Sequence, residues 1–175
     1  MKRQPFSSTA LALILCCGIA VAAAQQMEHS APSPSTHLTI KTYEGKTLTL
    51  SPEELAALPH KSVSVFNAHS KTNETYSGVP LADLLSKVGV PSGESVRGKL
   101  FLTGVVASGA DGYGVLYSLA EIDPSIHTGD VIVADTVDGK KLDKDGVFRM
   151  VSSEERRPAR WVRNLASISV VKVEP

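Results

Sequence analysis

The sequence predicts a mixed α+β domain, and three features of its pattern lead to that expectation. Many short segments rich in β-branched and aromatic residues alternate between apolar and polar positions, as half-buried strands do. Glycine, aspartate and proline separate these segments, which is typical of turns between short strands. Two or three short helical segments with capping signals lie between the strands, and this mixture favours α+β architecture.

The N-terminus has the pattern of a secretory signal peptide. Lys2 and Arg3 supply a positive start, an apolar run covers residues 10–24, and the run ends in small residues suited to cleavage after Ala24. The run is too short for a membrane span. We therefore expect residues 1–24 to be removed and the mature protein to be periplasmic or secreted, with no membrane span after cleavage.

Cleavage there would remove both cysteines of the chain, Cys16 and Cys17, and would leave 16 lysines and arginines against 18 aspartates and glutamates. The mature chain would then have no disulfide, no thiol nucleophile and no thiolate metal ligand. No basic excess exists to meet a phosphate backbone, so a nucleic-acid partner is not expected.

The remaining chain divides into a flexible linker and one domain. Residues 25–36 are rich in serine, proline and alanine without periodicity, and residues 37–175 carry the periodic pattern of a folded domain. Short helices are predicted from Ser51 and Ser118, each followed three residues later by a glutamate of a capping box, and over residues 81–88. Predicted strands cover residues 37–41, 46–50, 61–66, 99–107, 114–117, 130–135, 146–151 and 166–173.

Two predicted loops carry candidate functional residues. Residues 67–76 form a polar segment after a strand, and His69 is its acid–base candidate. Residues 108–113 form a glycine-rich turn that lets the backbone approach a ligand closely, although a plain hairpin turn explains it equally well. A cysteine-free enzyme that uses His69 with Asp111 is one alternative.

Residues 146–163 form the most basic stretch of the chain. The stretch contains the only tryptophan, Trp161, and five arginines, which are Arg149, Arg156, Arg157, Arg160 and Arg163. Arginine presents a planar fork of donors that fits phosphate or carboxylate, so these residues predict an anion site. The alternative is a solvated surface that pairs with Glu154 and Glu155, and Arg163 is the arginine most expected to be solvated.

Seven short motifs in the second half and the region before it follow one order. They are YSGVPLADLL at 76–85, ADGY at 110–113, LYSLAE at 116–121, VIVAD at 131–135, DGKKL at 138–142, GVFRMV at 146–151 and RPARWVR at 157–163. Together they resemble the molybdopterin-binding domain of the sulfite oxidase family, over residues 41–173. The resemblance implies a mixed β-sheet or partial barrel with short helices.

The resemblance also implies a pterin cofactor whose phosphate tail lies among basic residues. It places Arg160, the residue before Trp161, near the pterin, and Asp111 and Tyr113 in the loop that borders the cofactor cleft. Arg149 and Arg157 are expected to contact the tail or a substrate anion. Trp161 itself is a cofactor-site candidate or a core residue. Asn67 and His69, in the loop that carries the metal ligand in the family, complete the expected cofactor-binding set.

The chain departs from the family at the position of the metal ligand. The enzymes of the family ligate molybdenum through a cysteine thiolate in the loop that corresponds to residues 63–71, and Asn67 stands there in this sequence. An amide is a poor substitute for a thiolate at such a centre. The leader also lacks a twin-arginine motif, which a protein exported with a preloaded molybdenum cofactor would need. We therefore expect no bound molybdenum and leave enzyme activity open.

Two functions follow from the sequence. One is an exported protein of this fold that binds a pterin or another small anionic ligand through an arginine-rich cleft, with a redox or membrane-subunit partner. The other is a cofactor-free module on the same fold that binds a small anion or a protein.

Overall fold

The computed structural model describes residues 33–68, 70–143 and 146–174. These residues form two β-sheets with a few short helices, which confirms the mixed α+β class. The described strands do not close into a barrel, because they belong to two separate sheets. The signal peptide predicted at 1–24, most of the linker at 25–36 and His69 lie outside the described residues. No helix in the described part is long and apolar enough to cross a membrane.

The secondary-structure elements are short and alternate in type. The strands are β1 (Leu38–Lys41), β2 (Thr47–Leu50), β3 (Lys61–Asn67), β4 (Thr72–Pro80), β5 (Thr103–Gly109), β6 (Gly114–Ser118), β7 (Val131–Val137), β8 (Lys140–Lys141), β9 (Arg149–Ser152) and β10 (Leu165–Lys172). The α-helices are α1 (Pro52–Ala56), α2 (Leu81–Lys87) and α3 (Leu119–Ile122). Three 3₁₀ turns cover Gly93–Ser95, Gly98–Leu102 and Pro158–Arg160.

The first sheet has the order β2-β1-β10-β5-β6, and the second has the order β3-β4-β7-β8 with β9 also paired to β7. Strands β1 and β10 pair in parallel, whereas the other pairs are antiparallel. Since β10 lies at the centre of the first sheet, Ile168 meets Ile40 on one side and Ala107 on the other.

Two hydrophobic clusters support these sheets. The larger one buries side chains of the first sheet, the helices and β9, among them Ile40, Leu84, Phe148 and Ile168. The smaller one lies on the second sheet and includes Tyr76 and Trp161. Both clusters consist largely of the alternating apolar positions that predicted the strands.

Both capping boxes predicted from the sequence are present. The Ser51 hydroxyl accepts from the Glu54 N–H at 3.2 Å, and the Glu54 carboxylate accepts from the Ser51 N–H at 2.8 Å. Ser118 and Glu121 make the same reciprocal pair at the start of α3. Each box satisfies backbone donors that a helix of four or five residues would otherwise leave open.

Two predicted boundaries differ from the structure. The predicted loop at 67–76 is wrong over its second half, because β4 begins at Thr72 and pairs with β3 in a tight hairpin. The polar residues there sit on a strand next to an edge, where one face meets solvent. The strand predicted from residue 99 begins at Thr103, after the 3₁₀ turn.

The last residues of the expected linker contact the domain. The Ser35 N–H donates to Asn164 Oδ1 at 2.6 Å, and the Ser35 hydroxyl donates to the Leu165 carbonyl at 2.9 Å. Asn164 Nδ2 in turn donates to the Ser33 carbonyl at 3.2 Å. The chain therefore enters the domain beside the start of β10.

We expect Gly78→Ala to destabilise the protein by about 1–3 kcal/mol, because the added methyl would overlap the neighbouring strand. A Cβ at Gly78 would lie 2.1 Å from the carbonyl oxygen of Val133, where β4 bulges against β7. Denaturant unfolding measures the loss. Gly114→Ala is the matched control, since the nearest atom to its added methyl lies 3.8 Å away, and equal effects of both substitutions would contradict the close packing.

Candidate functional site

A polar pocket of about 440 Å³ lies beside the second sheet, where the β3–β4 hairpin, the β7–β8 turn and the segment before β9 meet. Side chains of both charges line it. The basic ones are Lys141, Arg149 and Arg163, the acidic ones are Glu74, Asp138 and Asp143, and Asn67 and Tyr76 complete the polar wall. Arg149 and Arg163 come from the arginine-rich stretch, and Asn67 comes from the position that the family resemblance singled out.

A chain of hydrogen bonds crosses this pocket. Asn67 Nδ2 donates to Glu74 Oε1 at 2.7 Å, and the Tyr76 hydroxyl donates to Glu74 Oε2 at 2.8 Å. Arg149 Nη1 donates to the same Tyr76 hydroxyl at 2.8 Å. Glu74 and Tyr76 can share these contacts because residues two apart on β4 point to the same face. The chain fixes the Asn67 amide and the Arg149 guanidinium relative to each other.

Burial and the Glu74 hydrogen bond raise the pKa of Tyr76, and the positive charge of Arg149 opposes them only in part. Tyr76 is 1% exposed, so its phenol stays protonated and acts as a donor to Glu74. The phenol is thus a fixed link between a carboxylate and a guanidinium, rather than a group that titrates near neutral pH.

Trp161 packs behind this pocket. Its ring lies edge-on to Tyr76, with the centroids 5.6 Å apart and an interplanar angle of 73°. Its indole N–H donates to the Ser152 carbonyl at 2.9 Å, and the side chain is only 8% exposed. Trp161 is therefore a core residue, which is one of the two alternatives that the sequence left open. It also contacts the pocket wall through Tyr76.

Arg160 belongs to a different group of side chains. Its guanidinium carbon lies 4.0 Å from the centroid of the Tyr117 ring, and Nη1 lies 2.9 Å from Glu121 and 3.1 Å from Glu155. The Tyr117 hydroxyl donates to the Arg160 carbonyl at 2.7 Å. Two carboxylates and one aromatic face thus hold this arginine, which fits the paired-surface alternative better than an anion site.

The ionisation of this group follows from those contacts. Burial raises the pKa of Tyr117 to about 12, although the Arg160 charge opposes it. For Glu121, burial favours the neutral acid, but hydrogen bonds from Ser118 and Arg160 outweigh it and lower the pKa. Glu121 therefore keeps its negative charge to a lower pH than an ordinary glutamate does, and it stabilises the Arg160 cation.

The turn that carries Asp111 and Tyr113 is attached to the arginine-rich stretch. Asp111 Oδ1 accepts from the Tyr113 N–H at 2.9 Å, which shapes the turn. The Tyr113 hydroxyl donates to the Ala159 carbonyl, and the Ala110 N–H donates to the Asn164 carbonyl at 2.9 Å. These contacts order the turn against residues 159–164.

The structure does not bring the eight residues expected at the site together in one place. Asn67 and Arg149 line the pocket, and Trp161 supports it from behind. Asp111, Tyr113 and Arg160 contact other groups, Arg157 is exposed, and His69 lies outside the described residues. Six charged or polar residues of the pocket were missed, namely Glu74, Tyr76, Asp138, Lys141, Asp143 and Arg163.

Signals for two of the missed residues were present in the sequence. Glu74 and Tyr76 are two residues apart, as side chains on the same face of a strand are, but the polar sequence around them predicts a loop. Arg163 was expected in solvent and is indeed exposed. It also lines the pocket, because Met150 pairs with Val162 and thereby holds the arginine-rich stretch against β9.

Comparisons with known proteins bear on the fold. No protein-family model matches the chain, and no curated protein matches it. The solved sulfane dehydrogenase SoxCD from Paracoccus pantotrophus is similar, with a TM-score of 0.59 and 20% identity over 79% of this chain and 39% of that chain. At this identity the likeness concerns the fold alone. A distant sulfite oxidase-like fold is thereby confirmed, in a chain that spans about two fifths of the compared protein.

The residues of the pocket do not fit a molybdenum centre ligated by a thiolate. At the position that the resemblance assigns to the cysteine, Asn67 offers an amide whose nitrogen is hydrogen-bonded to Glu74. Amide and carboxylate oxygens suit hard cations, whereas the centre of the family uses a soft thiolate. Within the described ranges, no group of three or more His, Cys, Asp or Glu side chains is arranged to hold a metal ion.

We expect Arg160→Ala to lower the free energy of unfolding by about 1–2 kcal/mol, since it removes a cation–π contact and two partly exposed ion pairs. Arg157→Ala is the matched control, because Arg157 is exposed and makes none of these contacts. Denaturant unfolding at pH 7 compares the two. Equal stability of both variants would contradict a structural role for Arg160.

The difference in stability between wild type and Arg160→Ala should depend on pH. The folded-state pKa of Glu121 lies below its usual 4.5, so its contribution is present above that pH and is lost as the pH falls through the folded pKa. The stability difference between wild type and Arg160→Ala should therefore narrow below about pH 4. A difference that stays constant down to pH 3 would show that Glu121 is not the partner that matters.

Proposed function

We propose that this chain is an exported binding protein that holds a small anionic ligand in the pocket lined by Asn67, Arg149 and Arg163. The observation that carries the proposal is the convergence of two guanidinium groups and the Lys141 ammonium on one pocket beside an oriented amide. Guanidinium forks and amide N–H groups are donors that match oxyanions in shape and charge. Export rests on the signal-peptide pattern of residues 1–24.

Two of the acidic side chains of the pocket, Glu74 and Asp138, accept hydrogen bonds from the protein itself. Glu74 accepts from Asn67, from the Tyr76 hydroxyl and from the Ser70 hydroxyl, the last at 3.1 Å. Asp138 Oδ1 accepts from the Thr75 N–H at 2.9 Å. These carboxylates orient donors, and the arginine fork has five N–H groups, so a guanidinium held by Tyr76 can also meet a ligand.

The volume of the pocket favours an organic anion over a bare inorganic one. A pocket of about 440 Å³ falls in the range of sites for small organic ligands. Sulfate or phosphate would fill only a small part of this volume, whereas a phosphate ester or a dicarboxylate would fill more of it. The ligand class is therefore a small organic phosphate or carboxylate.

Trp161 provides the assay. It is the only tryptophan of the chain and contacts Tyr76, so a ligand that moves Arg149 or Tyr76 should change its fluorescence. We expect saturable fluorescence changes with organic phosphates, and weaker ones with inorganic phosphate and sulfate. Arg149→Gln should weaken binding roughly tenfold or more, as loss of a charged donor costs about 1.4 kcal/mol or more.

Arg157→Gln is the matched control, because it removes an exposed arginine of the same stretch that does not line the pocket. If neither variant alters binding, or both alter it equally, the pocket is not the anion site. Thermal unfolding with and without ligand gives an independent readout, since a ligand bound by the native state raises stability.

A pterin cofactor with redox activity is the second candidate, favoured by the fold likeness to a sulfane dehydrogenase and by the ordered motifs. A redox function of this kind would require a redox or membrane-subunit partner. Protein purified from its native exported compartment should then contain near-stoichiometric pterin, detectable by fluorescence after release, with molybdenum measured by elemental analysis. Absence of both removes this candidate and leaves the cofactor-free binding module. The N-terminal residue of the same preparation tests export, because cleavage after Ala24 leaves Gln25 first.

A further inference from the structure

A second concavity, of about 500 Å³, lies where the β1–β2 turn, the 3₁₀ turn Gly98–Leu102 and the end of β10 meet. Tyr43, Leu102 and Val173 line it and are 42%, 41% and 51% exposed, respectively. A single exposed apolar side chain is ordinary, but several in one groove mark a binding surface. The Val173 N–H donates to the Leu102 carbonyl at 2.8 Å, so the backbone fixes this wall.

The groove itself is apolar along one wall. Tyr43, Leu100, Leu102 and Val173 supply this wall. A smaller cavity of about 100 Å³ shares Tyr43, Leu100 and Thr103 with the groove and has a mixed lining that includes Thr42 and Glu44. The groove is therefore the apolar part of this surface.

The outer end of the groove is positively charged. Lys99 and Lys172 both line it, and the Lys172 ammonium lies 4.1 Å from the centroid of the Tyr43 ring. In the described part of the chain neither lysine forms an ion pair. Among the described residues of the groove lining, Glu174 is the one carboxylate. Two ammonium groups beside an apolar wall complement a ligand with one anionic head and one apolar tail.

We infer that this groove binds a single-chain amphiphile with a carboxylate head, such as a fatty-acid anion. The carboxylate lies at Lys99 and Lys172, and the tail lies along Tyr43, Leu102 and Val173. The inference uses no residue of the anion pocket, so either site can fail without the other.

Calorimetric titration of the full-length mature chain with decanoate, kept below its micelle concentration, tests the inference. We expect saturable binding of one decanoate per chain. Octanoate should bind more weakly, by about fourfold for each methylene removed from the buried tail. Decyltrimethylammonium, which has the same tail and a cationic head, should bind at least tenfold more weakly than decanoate.

Substitutions separate the tail contacts from the head contacts. Leu102→Glu should weaken decanoate binding at least tenfold, and Val173→Glu gives a second, independent change on the same wall. Lys99→Gln combined with Lys172→Gln should weaken decanoate several-fold and leave decanol binding unchanged. Leu116→Glu is the matched control, because Leu116 is a 56% exposed leucine on β6 that lines neither cavity.

Three results would overturn the inference: no saturable decanoate binding, equal binding by Leu102→Glu and Leu116→Glu, or equal affinity for the anionic and cationic amphiphiles. Concentration-dependent self-association that Leu102→Glu abolishes, without amphiphile binding, would assign this surface to a second copy of the chain instead. Arg149→Gln should bind decanoate as wild type does, which keeps this test distinct from that of the anion pocket.

Discussion

The candidate site depends on the contacts of the Tyr76 side chain. Its hydroxyl stands between the Glu74 carboxylate and the Arg149 guanidinium, and its ring packs on Trp161. A carboxylate and a guanidinium that are partly removed from water need partners, and one phenol serves both. The same side chain is almost fully buried in the smaller hydrophobic cluster, so its position is set by packing and not by the polar groups it joins. The pocket is consequently built on the core of the second sheet.

Successive residues of the arginine-rich stretch contact different parts of the structure, and these contacts hold the stretch in place. Trp161 extends into the cluster around Tyr76, whereas Arg160, the residue before it, stacks on Tyr117 of β6 in the first sheet. The pairing of Met150 with Val162 holds the stretch against β9 between these two contacts. Arginines that are close together in the sequence therefore need not be close together in the structure. One arginine of the stretch is neutralised by carboxylates, and two others reach the pocket.

Local chemistry accounts for the part of this structure that the sequence could predict. Capping boxes at Ser51 and Ser118 need only residues three apart, and alternating apolar residues identify a strand face wherever the strand pairs. The pocket depends instead on which strands become neighbours. Asn67 reaches Glu74 only because the β3–β4 hairpin places Glu74 two residues from Thr72, the partner of Asn67. Arg149 joins them only because β9 pairs with β7, which pairs with β4. Such long-range pairings leave no signal within a window of the sequence, so Arg163 and Lys141 were missed.

Hydrogen bonds tie the side chain of Asn67 into the wall of the pocket. A polar group held there without such partners would lower the stability of the protein. Here the amide nitrogen is bound by Glu74, and the amide oxygen accepts from the Ser70 N–H at 3.4 Å, a long contact that restrains it weakly. The position is thus integrated into a hydrogen-bonded wall that continues to Tyr76 and Arg149. A wall of this kind is already oriented for a ligand that accepts hydrogen bonds, and its donors need little reorganisation when an oxyanion enters. The physical chemistry of this site therefore favours recognition of an anion over coordination of a soft metal.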